Sequence, residues 1–152
     1  MKKRGARIKH LAVLPGRARD SVSLETSHYM ALQLLGTAEF GRDQAASIGA
    51  AAYMVREIPR SRIGEVAHRH AEAVIRTLNE VMDLAERTGS IEVSAAREAA
   101  LRASCPIVFR ALEGARNSDI ARASLAVLAM QRRVRNDSGR GIGRTTRTAS
   151  RV

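Results

Sequence analysis

The sequence predicts an all-α protein, an antiparallel bundle of four to five helices with basic, flexible N- and C-terminal tails. Three features predict it. Residues 24–57 are dominated by Ala, Leu, Met and Gln and lack strand-like alternation. Helix-ending signals stand at Pro59, at Gly89 with Ser90, and at Gly114 followed by Asn117 and Ser118. Residues 61–87 repeat apolar side chains at the helical period and place charges of both signs opposite them.

Each helical segment has its own justification. The first, 24–57, is apolar nearly all round, and Gly36, Gly41, Arg42 and Asp43 are positioned to break or kink it into two. Gly41, Ala45 and Gly49 recur every four residues, a face on which another helix can approach closely; the segment is apolar enough to sit centrally or to form a dimer interface. The second segment, 61–87, takes Ser61 as its N-cap and carries Ile63, Val66, Ala67, His70, Val74, Leu78, Val81 and Ala85 on one stripe. The third, 91–113, starts after Ser90 and holds Val93, Ala96, Ala100, Ile107, Val108, Ala111 and Leu112, with Pro106 expected to kink or restart it. The fourth, 119–134, presents Ile120, Ala123, Val127, Met130 and Val134. Short connections favour antiparallel neighbours. The apolar run 11–14 either packs on the bundle or forms a short strand.

A chain of 152 residues fits one domain, here 21–134, with a basic arm at 1–20 and a tail at 135–152. Cys105 is the single cysteine, which excludes an intramolecular disulfide and a two-cysteine zinc motif and fits a reducing, cytoplasmic setting. The run 11–14 is too short for a signal-peptide core, and Pro15 and Gly16 interrupt the amphipathic helix that a mitochondrial presequence would need. Neither 29–38 nor 44–55 approaches the roughly 20 apolar residues of a membrane-spanning helix, so no membrane association is expected.

The net charge of +11 is unevenly placed. Residues 1–20 hold seven Lys or Arg against Asp20, and residues 131–152 hold seven Arg against Asp137, so each end carries +6. The 110 residues between carry 12 Arg and 13 acids, a net −1. Basic arms on a neutral body neutralise phosphates and gain affinity by counterion release. The expected contacts are Lys2, Lys3, Arg4, Arg7 and Lys9 in front, with Arg132, Arg133, Arg135, Arg140, Arg144, Arg147 and Arg151 behind. From residue 135 the chain mixes Gly, Ser and Thr with Arg and has no hydrophobic period, so it is expected to be disordered alone. Gly139, Gly141 and Gly143 have neither the spacing nor the strand-to-helix context of a dinucleotide fingerprint. Tyr29, Phe40, Tyr53 and Phe109 fall in apolar core segments, which leaves no stacking platform for bases.

Other motifs bear on chemistry. Glu25 with His28 and Glu65 with His68 have the Glu-x-x-His spacing that di-iron carboxylate bundles use, because i and i+3 share a helix face. Both pairs fall near helix starts, and Glu39 and Glu57 are only loose candidates for the bridging carboxylates. Arg62, six residues before His68, resembles the Arg–His spacing of HEPN-type helical ribonucleases over those two residues, a spacing of low specificity among 23 arginines. His70 is expected in the core, His68 beside the charged face, His28 at a helix start and His10 in the arm. Cys105 is expected to be a buried structural thiol.

The expected function is therefore a non-enzymatic, self-associating accessory protein that holds DNA or RNA through phosphates with little sequence specificity. No cofactor, metal or small-molecule substrate is inferred. The first alternative is an oligomeric assembly subunit whose tails dock on an acidic partner. The second is a helical nuclease or metal-binding bundle centred on Glu65, His68 and His70.

Overall fold

A computed structural model describes the backbone of residues 24–149 and the side chains of residues 27–137. The front contacts Lys2, Lys3, Arg4, Arg7 and Lys9, together with Arg151, lie outside the described residues. Those residues form six helices and no strand: α1 (Leu24–Gln33), α2 (Arg42–Glu57), α3 (Arg60–Ile63), α4 (Glu65–Thr88), α5 (Ala95–Gly114) and α6 (Asn117–Ala149).

The apolar segment 24–57 is two helices, divided at the glycines the sequence marks. Gly36 adopts φ +83°, a left-handed conformation that disfavours any side chain, and a Cβ there would lie 2.7 Å from Glu98 Oε1. Gly41 donates its amide to Gln44 Oε1 at 2.9 Å as α2 begins. Arg102 on α5 closes the turn by donating from Nη2 to the Leu35 carbonyl at 2.9 Å.

Two helix starts differ from expectation. Ser61 is not the N-cap of the long second helix; it lies within the single turn of α3, and Gly64 at φ +95° separates that turn from α4. Gly64 therefore sets the start of α4 at Glu65. Ser90 does not cap α5, since residues 91–94 form a link and Ser94 Oγ accepts the Arg97 amide at 3.3 Å. Pro106 neither ends nor restarts α5, which runs unbroken through it. At the chain's end, α6 passes the expected stop near Val134 and continues to Ala149 through residues expected to lack regular structure. Extending a helix already nucleated by packed residues avoids the nucleation cost that an isolated segment faces.

Helix α2 is the centre. It packs against α1, α4, α5 and α6, and Ile48, Ala51, Ala52, Met54 and Val55 are buried along it. Gly49 faces α4, where a Cβ would make ordinary van der Waals contact with Leu78 Cδ1 at 3.6 Å. The α4 stripe is buried at Ala67, Ala71, Val74, Leu78, Val81 and Ala85, but Val66 is exposed and His68, not His70, is the buried histidine. On α5 the buried face is Leu101, Ser104, Cys105, Val108, Phe109 and Leu112, while Ala96 and Ala100 face solvent. The inner face of α6 buries Ile120, Ala123 and Val127; Val134, expected on it, is exposed. Its first turn is tied down by the buried carboxylate of Asp119, paired with the Arg62 guanidinium.

Ile48 is fully buried and Leu125 is 61% exposed. Ile48→Ala is expected to destabilise the protein by about 2–5 kcal/mol, and Leu125→Ala by no more than about 0.5 kcal/mol. Urea unfolding of the two variants checks this contrast.

Candidate nucleic-acid interface

The basic end of α6 begins where its packing stops. Gln131 is half-buried, and Arg132, Arg133 and Arg135 are exposed. None of the three forms an ion pair with a described residue, whereas Arg56, Arg60, Arg62, Arg97 and Arg102 of the body each pair with a carboxylate. Because α6 remains helical to Ala149, positions 133, 140, 144 and 147 fall within an arc of about 60° on its backbone and span about 21 Å of axis. This register was hidden at the level of sequence, because it exists only if the tail is a helix. Its trace is the spacing of seven, four and three residues along Arg133, Arg140, Arg144 and Arg147.

The structure separates the residues of the nuclease and metal alternatives. Glu65 is exposed and bonded to Arg60 Nη1 at 3.2 Å. His68 lies 8% exposed on the inner side of α4, with Nδ1 3.6 Å from Glu72 Oε1. His70, two residues on, leaves the helix about 200° away and meets Ser104 Oγ through Nδ1 at 3.0 Å. Among the described residues no group of three His, Cys, Asp or Glu side chains is placed to hold a metal ion. Among those residues, likewise, no helix is long and apolar enough to cross a membrane.

His28 sits in an aromatic corner, 4.4 Å between ring centroids from Phe109 and 4.8 Å from Tyr29. Its Nε2 is buried without a hydrogen-bond partner. Burial outweighs the attraction of Glu113 and pulls its pKa down to about 4. Tyr29 donates its hydroxyl to Glu113 Oε1 at 2.6 Å; desolvation and this carboxylate raise its pKa to about 12. Cys105 is fully buried, and its thiol is pushed up to about 12 by desolvation. The expectation of a structural thiol therefore holds: a cysteine so placed is not a thiolate at neutral pH.

The chain matches no known protein family, no curated protein and no solved structure.

Two measurements test these environments. A histidine depressed from 6.5 to about 4 leaves the folded state binding fewer protons, so its stabilising effect is complete above pH 6.5 and is lost as pH falls towards 4. The loss amounts to roughly 3 kcal/mol. In urea titrations between pH 7 and pH 4, His28→Leu is expected to flatten that part of the profile. For Cys105, a thiol reagent should react with native protein no faster than the protein unfolds. Burst labelling of the folded chain would contradict the burial.

Proposed function

We propose that the protein is a non-enzymatic accessory protein that holds DNA or RNA by its phosphates through basic terminal segments, with little sequence preference. The observation that carries this is the partition of charge: +6 at each end of the chain and −1 between. Exposed Arg132, Arg133 and Arg135, and the alignment of positions 133, 140, 144 and 147 on α6, support it. A row of arginines about 21 Å long along a helix can follow a phosphate backbone without reading base edges. In this proposal the helices form an up-and-down antiparallel bundle, the molecule self-associates in the cytoplasm, and the front arm supplies Lys2, Lys3, Arg4, Arg7 and Lys9 as further contacts.

The test is fluorescence-anisotropy binding of DNA and RNA oligonucleotides over a salt series. Affinity is expected to fall steeply with salt and to vary little with sequence. Replacing Arg132, Arg133 and Arg135 together by Gln should lower the slope of log K against log salt by about 2–3, with the circular-dichroism melt unchanged. If the full chain binds neither nucleic acid at low salt, the proposal fails and the acidic-partner assembly subunit takes its place.

A further inference from the structure

An apolar groove of about 480 Å³ is open between α2, α4 and α6. Ile75, Leu78 and Val127 line its inner part, and the small side chains of Ala46 and Ala50 leave the room for it on the α2 side. Arg42 and Arg135 also border it, and no acidic residue does.

The chain carries a segment suited to this groove. In the basic front arm, Ile8 and the run Leu11, Ala12, Val13 and Leu14 are followed by Pro15 and Gly16, a pair that favours a turn. The arm leads into α1, which packs against α2, one wall of the groove. Ser27, in the first turn of α1, meets Ser47 Oγ at 3.1 Å, and Ser47 is the sequence neighbour of Ala46 and one helical turn before Ala50. Nine residues separate Leu14 from Leu24, enough to span about 30 Å when extended. The α2 wall from Ala45 to Tyr53 is about 12 Å long, and four apolar residues cover about 6 Å as a helix or about 13 Å as a strand. Tether, length and apolar character agree.

We propose that residues 8–14 of the same chain dock in the groove between α2, α4 and α6. The tether supplies an effective concentration on the order of millimolar, so a modest apolar contact suffices to populate the docked state. Docking places the basic residues of the arm near Arg135 and makes one positive surface of the two ends. The docking itself does not rest on the nucleic-acid proposal, and its test contains no nucleic acid.

Hydrogen–deuterium exchange on the full chain tests it, comparing wild type with Leu11→Asp/Val13→Asp and with Ala46→Trp, a substitution at an exposed position on the groove's edge. Amides of residues 8–14 are expected to exchange at least tenfold more slowly in wild type than in either variant, with the circular-dichroism melt showing that each variant is folded. Should Ala46→Trp fail to fold, Leu78→Phe, which narrows the groove from α4, replaces it. Random-coil exchange of residues 8–14 in wild type overturns the proposal. So does protection that both variants leave intact, which would place the segment elsewhere, and so does protection that appears only as protein concentration rises, which would assign the groove to a second copy.

Discussion

Everything else in the fold depends on the burial of α2 along the faces that its neighbours cover. Ile48, Ala52, Met54 and Val55 have no solvent access; only the side through Arg42, Ala46 and Glu57 is left exposed, and the rest of the helix must be covered by neighbours. Four helices supply that cover. Small residues recur along α2, and Leu78 of α4 packs over Gly49. They also leave the groove beside α6, because Ala46 and Ala50 cannot fill the space that a larger side chain would occupy.

The helices around α2 can then be amphipathic, and some of the charges on their outer faces are paired. Arg60 reaches Glu65 and Glu72, Arg97 reaches Glu80, and Arg102 reaches Glu98. Each exposed pair stabilises by only about 0–1 kcal/mol; the body is near neutral because residues 21–130 hold 12 Arg against 13 acids. Asp119 with Arg62 is different, since the carboxylate is buried in the first turn of α6, where the helix dipole also favours negative charge. That contact fixes the start of the helix whose far end carries the arginines. A neutral body with basic ends thus follows from the nearly equal numbers of Arg and acids in residues 21–130 and from the near-absence of acids beyond Met130.

Much of this was legible in the sequence. The all-helical class, the breaks at Pro59, Gly89 and Gly114, the division near Gly36 and Gly41, the buried positions Val74, Leu78, Val81 and Ala85, and the inert Cys105 all follow from local rules of propensity, period and chain termination. The candidate interface was legible only as charge. That positions 133, 140, 144 and 147 share one side of a helix required knowing that the helix continues past Val134.

The sequence by itself determined that the chain is helical, where most of its helices break, and that its charge lies at the ends, because these are properties of short windows of residues. Only the tertiary structure decided which edge of each apolar stripe is covered. His68 rather than His70 turns inward, Leu101 and Cys105 rather than Ala96 and Ala100 meet the core, and a groove stays open beside α2. The 3.6-residue period names a face about 100° wide or more, but how much of that face loses its water is set by the neighbouring helices, which no local pattern encodes.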